Sequence, residues 1–359
     1  MSGIPSTPPI LCYGAYGYTG ELTARLAAER GIPLMLAGRN ADKTAAVASR
    51  HSMEHRVFGL DDPAALDAGI DGATVVIHCA GPFSHTAEPM VQACIRKGIH
   101  YLDITGEAAV FKALSGLDEQ AKAANVMVMP GAGFDVVPSD CLAAYVAGKV
   151  EDATHLTMGF SNHGGGVSHG TATTIVENID GGTLVRRDGK LVQLPMGVVT
   201  GHHDFGDGRG AVATASIAWG DVVTAWLSTG IANIEVFIPL GKGVATVARI
   251  SHAFGWLTSS RPVQSLLKSW VNSRPAGPTD EQRQRARSYL FATASNAAAG
   301  TSATAYLKVP EGYTLTADLS LRIAERVVAG DSKIGYQTAS MAYGPDLILD
   351  VEGTERRDG

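Results

Sequence analysis

Three short segments carry residues able to do chemistry. In "YGAYGYTG", Tyr13 to Gly20, glycines stand at 14, 17 and 20. Gly14 permits a tight turn, Gly17 lets backbone approach a pyrophosphate, and Gly20 lets a helix pack close to a strand. Amides at the helix start then face phosphate oxygens. The middle glycine falls one place later than in G-x-G-x-x-G, which widens the first turn, as in the G-x-x-G-x-x-G variant of NADP-using folds. Tyr16, Tyr18 and Thr19 fill the rest of this loop. Out of context the same spacing also fits a plain strand-to-helix turn. In "AGRN", Gly38, Arg39 and Asn40 are followed by Lys43, with no acid at the place where an NAD site holds the ribose 2′-hydroxyl. A guanidinium grips a 2′-phosphate that a carboxylate would repel, which favours NADP(H) over NAD(H). The alternative is a solvated arginine opening a helix. In "CAGPF", Cys79, Ala80, Gly81, Pro82 and Phe83 combine small residues with a turn. These residues are expected against the central part of the dinucleotide and its nicotinamide ribose, and Gly106 is a further expected cofactor-binding residue. His85 stands two residues on, near the hydride site or as a capping or surface residue.

Such loops need strands and helices in alternation, and the first 140 residues supply them. Apolar runs of strand length, "ILCY", "PLMLAGR", "HRVFGL", "ATVVIHCAGPF", "HYLDIT" and "VMVMPGAG", are separated by helical patterns such as "TGELTARLAAERG", "ADKTAAVASRH" and "AEPMVQACIRKG". The fold expected is α/β: a Rossmann doubly wound parallel sheet with ligands at the carboxyl ends of its strands. The glycine loop follows the first strand and opens the first helix, which is the context the motif requires.

Composition narrows the classes. The chain has 359 residues, 45% hydrophobic and 18% charged, which fits two globular domains. A net charge of −6 with no basic block argues against nucleic acid as the main partner. Cys12, Cys79, Cys94 and Cys141 lack C-x-x-C spacing, so neither a zinc knuckle nor a disulfide framework is expected, and no metal. The first apolar run begins at Ile10 without a cationic leader, and no uncharged apolar stretch of about 18 residues occurs, so a cytoplasmic chain without a membrane span is expected.

The segments "YGAYGYTG", "LAGRN", "CAGPF", "GIHYLDITGE" and "GAGFDVVPSD", in that order, resemble the saccharopine-dehydrogenase-like proteins, among them the bacterial trans-acting enoyl reductases and the animal saccharopine-dehydrogenase-like oxidoreductase. The resemblance continues through "GTATTIVENIDGG", "WGDVVTAWLSTG" and "GYQTASMAYGPDL". It implies an NADP-binding Rossmann domain followed by a second α+β domain with a mixed sheet. "GAGFDVVPSD" is similar to the G-x-D-P-G-x-D-H segment of saccharopine reductases. Asp135 and Asp140 match its two aspartates, and Cys141 replaces its histidine. That departure, with no basic cluster for a dicarboxylic amino acid, makes saccharopine itself an unexpected substrate. The boundaries expected are 1–138 for the NADP-binding domain, with 331–359 packing back on it, and 139–330 for a substrate and dimerisation domain.

Beyond residue 150 the pattern turns to strands such as "THLTMGFS", "AVATASIAW", "ANIEVFIPL", "RARSYLFATAS" and "TSATAYLKV". "TIVENI" reads as a short helix. "GVATVARISHAFGWL" reads as a helix with Val244, Val247, Ile250 and Phe254 on one face, for a core or a homodimer contact rather than a membrane surface. "LTADLSLRIAERVVAGD" reads as an amphipathic helix. His155, His163, His202 and His203 match no zinc pattern.

The function expected is an NADP(H)-dependent oxidoreductase moving hydride to a C=C or C=N bond of a small molecule. Asp135, His169 and His85 are candidates to handle the proton. Asp135 is equally readable as a turn former, and Glu107 as a ligand-facing acid or a helix-start charge. Two alternatives stand beside this: a non-catalytic dinucleotide-binding scaffold, and a short-chain-type ketoreductase using Tyr145 and Lys149. The second lacks the expected Ser or Thr upstream, where Ala132 stands.

Overall fold

The computed structural model describes residues 9–166, 168, 182–195, 197–240 and 277–359. The helices expected at "TIVENI" and "GVATVARISHAFGWL", and the candidate His169, lie outside these residues. The chain divides into two compact units. One is Met1–Asp135 with Gly312–Ala342; the other is Val136–Glu311 with Tyr343–Gly359.

The first unit begins with β1 (Ile10–Tyr13), α1 (Tyr18–Arg30), β2 (Leu34–Gly38), α2 (Ala41–His51), β3 (His55–Val57), α3 (Pro63–Ile70) and β4 (Val75–His78). α4 (Phe83–Lys97), β5 (His100–Asp103), α5 (Ala108–Ser115), α6 (Asp118–Ala123) and β6 (Met127–Met129) follow. β1, β2, β4 and β6 are buried at every residue, which is why they read as unbroken apolar runs rather than alternating ones. All neighbouring strands are parallel, in the order 3-2-1-4-5-6. The chain direction across the sheet therefore reverses between β1 and β4, and the crevice at their carboxyl ends is where such sheets take ligands. Local signals fix the helix ends. Gly31 takes a left-handed turn that closes α1, with its N–H on the carbonyls of Ala27 and Ala28. The Asn40 and Asp62 side chains cap α2 and α3. α3 is too short to show an apolar period, and its Asp-Pro start was its one sequence signal.

The second unit opens with α7 (Val137–Ala147) and builds a nine-stranded mixed sheet. Its strands are β7 (His155–His163), β8 (Thr183–Arg187), β9 (Lys190–Leu194), β10 (Thr200–His203), β11 (Val212–Ser216), β12 (Asn233–Pro239), β13 (Arg287–Asn296) and β14 (Thr301–Pro310), completed by β16 below. Helices α8 (Asp221–Thr229) and α9 (Asp280–Arg285) accompany it. β7 and β12 pair in parallel, and β13 forms antiparallel ladders with both β7 and β14.

The chain then re-enters the first unit with α10 (Gly312–Val328), a helix that sequence order had placed in the second domain. Its buried residues include Leu315, Leu319 and Ile323, and it packs beside α1, where Asp318 Oδ1 lies 2.6 Å from Arg30 Nη1 and accepts from Arg322 Nε at 2.8 Å. β15 (Gly335–Tyr336) extends the parallel sheet beyond β6. Of the stretch 331–359 expected to return to the dinucleotide unit, residues to 342 do so. The remainder clusters with the second unit because β16 (Glu355–Asp358) pairs antiparallel with β14.

The packing of α1 onto the sheet depends on Gly20, where a Cβ would stand 2.4 Å from Gly14 O and 2.9 Å from Ala15 Cα. Gly20→Ala is expected to cost about 1–3 kcal/mol by overpacking against backbone, read as a lowered midpoint in urea with an unchanged slope. An unchanged midpoint would show that α1 can slide away without loss.

Candidate dinucleotide-binding site

The loops after β1, β2, β4, β5 and β6 surround the crevice of the first unit. Gly14 has φ +85°, and its N–H donates to Ala37 O at 2.8 Å. A Cβ there would stand 2.8 Å from Ala80 N and 2.9 Å from Cys79 C, so the first loop lies directly on the backbone of "CAGPF". Gly17 precedes α1 in extended conformation and donates to Gly14 O at 2.9 Å. Among the described residues no side chain caps α1. Its amide-rich start therefore opens into the crevice with the polarity that suits an anion.

The second loop places its residues around an aromatic ring. A Cβ on Gly38 would stand 2.6 Å from Tyr16 Cε1 and 2.9 Å from Thr44 Oγ1, and Lys43 Nζ lies 5.9 Å from the Tyr16 ring centroid. Arg39 and Lys43 are exposed, and Arg39 makes no ion pair among the described residues. Asn40 acts locally, since its Oδ1 accepts the Lys43 N–H at 2.9 Å and its carbonyl accepts the Thr44 hydroxyl at 2.6 Å.

The third loop is held from both sides. The Gly81–Pro82 peptide is cis, and Thr86 Oγ1 donates to Ala80 O at 2.6 Å. The Glu107 carboxylate accepts the N–H groups of Phe83 and Ser84, at 2.9 and 3.2 Å, and so caps α4 from a neighbouring loop. Of its two readings, the helix-start charge is the one seen, though on α4 rather than on its own helix. His85 is exposed in the first turn of α4. Contact with Cys12 and then burial push the Cys79 thiol well up, so it stays a neutral thiol; all four cysteines are free.

Two acids stand at the last loops, and one of them ties the loops together. Asp103, fully buried at the end of β5, accepts from Tyr101 Oη (2.8 Å), Thr105 N (3.0 Å) and Gly131 N (2.8 Å), while its carbonyl accepts Ala132 N (2.6 Å). Burial pushes its carboxyl up to about 6 despite these donors. Asp135 is half-buried, with its side-chain atoms 3.1 Å from where a Gly106 Cβ would stand, and desolvation pushes its carboxyl up to about 7. The structure thus brings Gly106 and Asp135 together. Sequence reading missed Asp103, because a buried strand end gives no sign that the Gly131 amide, from a distant loop, joins the nearby Tyr101 hydroxyl and Thr105 amide on its carboxylate.

It also missed His78, the last residue of β4, which the apolar run concealed. His78 is fully buried, and neither ring nitrogen has a hydrogen-bond partner among the described residues. Its neighbours are aromatic: Tyr13 at 5.6 Å, Phe83 edge-on at 5.5 Å and Tyr101 at 6.2 Å between centroids. Desolvation lowers its pKa to about 3, so it is a neutral prop beneath the third loop. In the second unit, Tyr145 Oη donates to Asp358 Oδ1 at 3.1 Å and Lys149 Nζ lies 2.5 Å from the same oxygen, so both residues of the short-chain alternative anchor β16. His163 Nε2 stands 2.9 Å from Asp207, and His203 Nδ1 2.7 Å from Thr214 Oγ1. Among the described residues no cluster could hold a metal, and no helix is long and apolar enough to cross a membrane.

This architecture has known counterparts. Residues 10–129 match the model of the saccharopine dehydrogenase NADP binding domain. That stretch, a third of the chain, is similar to this NADP binding domain. The human saccharopine dehydrogenase-like oxidoreductase is 30% identical over 162 residues, covering 39% of this chain and 38% of that one. The trans-acting enoyl reductase of Mycobacterium leprae is 34% identical over 139 residues, 36% of this chain and 33% of that one. The matches thus span well under half the length of these curated relatives. Apo saccharopine dehydrogenase (L-Glu forming) from Saccharomyces cerevisiae superposes with a TM-score of 0.65 over 98% of this chain and 99% of that one, at 13% identity, which is a likeness of fold. The matched residues begin at β1 and end with β6, the strand set that frames the crevice.

The buried histidine gives this domain an acid-sensitive point. An imidazole held near 3 in the folded state and near 6.5 when unfolded leaves the unfolded chain with more bound protons between those values. Stability is therefore fully present above about 6.5 and lost as pH falls through that window. His78→Leu is expected to remove this dependence, so its stability relative to the native protein rises by up to about 1.4 kcal/mol per pH unit on acidification. Urea unfolding at pH 8 and pH 5 checks this; a pH-independent difference would show that His78 finds a proton partner in the folded state.

Proposed function

We propose that this chain is an NADPH-dependent reductase that delivers hydride to a polarised C=C or C=N bond of a small molecule. The observation that carries the reading is the glycine loop at the β1–β4 reversal. Three positions without room for a Cβ, Gly14, Gly20 and Gly38, shape a cradle beneath an uncapped helix start. Such a cradle fits a pyrophosphate held by backbone amides. Arg39 and Lys43, exposed beside Gly38 with Tyr16 between loop and helix, fit the 2′-phosphate of the adenosine half. The enoyl reductase among the relatives favours C=C over C=N as the reduced bond.

When bound, the reduced nicotinamide supplies the hydride, and the rest falls to the chain. The backbone of Cys79 to Phe83, held by Thr86 and Glu107, offers a small-residue wall on the β4 side. Asp135 stands on the β6 side with a carboxyl that keeps its proton near neutral pH, as a group donating to the second atom of the reduced bond requires. Asp103 holds the two loops that carry Gly106 and Asp135 in register.

Titration calorimetry tests the cofactor half. Arg39→Ala is expected to weaken NADPH about 10- to 100-fold, the loss of a charge-assisted contact, and NADH about twofold or less. Equal losses would contradict the 2′-phosphate assignment. Steady-state NADPH oxidation against a panel of enoyl thioesters and imines tests the reaction. With a donor near 7, turnover is expected to fall as pH rises through that value, and Asp135→Asn to lower kcat about 10²- to 10⁴-fold and abolish that limb. A limb that persists in the variant would remove Asp135 from the reaction.

A further inference from the structure

The first turn of α10 reaches two loops of the dinucleotide unit at once. The Tyr313 ring meets Tyr18 edge to face, with centroids 5.1 Å apart and planes at 85°. Tyr18 is the first residue of α1, directly after Gly17. Three residues further along α10, Thr316 Oγ1 accepts the Phe134 N–H at 3.0 Å and donates to Gly312 O at 2.8 Å. Gly133 and Gly312 allow this seating: a Cβ on Gly133 would stand 2.6 Å from Thr316 Cγ2, and one on Gly312 3.2 Å from Phe134 Cγ. The loop so gripped ends in Asp135.

The rest of α10 does not need Tyr313 to stay in place. Leu315, Leu319 and Ile323 are fully buried, and the Arg30–Asp318–Arg322 cluster ties its middle to the far end of α1. Tyr313 itself is only half-buried, and its ring lies against that of Tyr18. An edge-to-face pair restricts both rings. Tyr18 stands at the first residue of α1, where the helix-start amides begin. We infer that Tyr313 is a positioning residue for the pyrophosphate of the dinucleotide, acting through Tyr18, and that the first turn of α10 is a wall of the site. This rests on the reading of the glycine loop as a pyrophosphate cradle.

Calorimetry on the full chain with three probes tests it: NADPH, ADP, and adenosine 2′-monophosphate, which lacks a diphosphate. Tyr313→Ala is expected to weaken NADPH and ADP roughly 3- to 10-fold, the worth of one aromatic pair, and to leave adenosine 2′-monophosphate unchanged. Tyr313→Phe keeps the ring and restores both affinities. Tyr18→Ala combined with Tyr313→Ala binds NADPH no more weakly than Tyr18→Ala alone, because the two act as one unit. If the alanine variant does not fold, Tyr313→Leu, which keeps apolar bulk without an aromatic edge, takes its place with the same expectations. Native-like NADPH binding in the folded variant, equal loss for all three probes, or additive losses in the double variant would each overturn the inference. A native chain that binds neither NADPH nor ADP would instead overturn the reductase reading, and this inference with it.

Discussion

The first unit turns on a steric exclusion: three backbone segments meet at a point where no side chain fits. Gly14 lies on the backbone of Cys79 and Ala80, and Gly20 lies on Gly14 O. The contact joins β1, the start of α1 and the loop after β4, which are the two halves of the sheet where the strand order reverses. A methyl group on Gly20 would push α1 away and carry the helix-start amides with it, and one on Gly14 would press into the backbone of Cys79 and Ala80. The other loops are arranged around this contact, by Glu107 capping α4 and Asp103 gathering the amides of Thr105 and Gly131. Backbone fixed by backbone changes little on ligand arrival, which is the condition for presenting aligned dipoles to an anion at small reorganisation cost.

The polarity of the crevice follows the same logic. Its buried and half-buried titratable groups are kept neutral or nearly so: His78 without its proton, Cys79 with it, Asp103 and Asp135 raised toward neutrality. Desolvation dominates in the histidine and both acids because these groups lie where strand ends exclude water. The positive charge of Arg39 and Lys43 stands at the exposed rim. Charge is thus offered at the edge and withheld at the centre, which suits a ligand with phosphates at one end and an uncharged reacting ring at the other.

How much of this was legible in the sequence depended on range. The glycine loop, the arginine after β2 and the parallel alternation could be read because each rests on neighbours along the chain. Gly17 one place late proved compatible with a tight loop, since its amide closes onto Gly14 O. Tyr16 was readable as a loop residue but not as the ring beneath Lys43, a relation between two loops. Glu107 could be seen as a helix-start charge, but its helix lies 24 positions earlier in the chain. His78 and Asp103 were hidden because a buried strand shows only apolar continuity. Thr316 and Tyr313 were hidden for a different reason: their partners Phe134 and Tyr18 are far away in sequence, and an amphipathic pattern gives a helix but not its address.

The interleaved path of the chain also bears on how the protein is made. The dinucleotide unit lacks α10 and β15 until residues 312–342 have been synthesised, after the whole strand set β7–β14 of the other unit. At ordinary translation speeds the nascent first unit waits on the order of ten seconds or more with the α1 side that α10 will cover still open. Throughout that interval the β6 edge and the seat of Leu315 and Leu319 face whatever the ribosome exit offers. Early coenzyme capture by the half-built crevice, or shielding by a holdase, would bear directly on the yield of the finished protein.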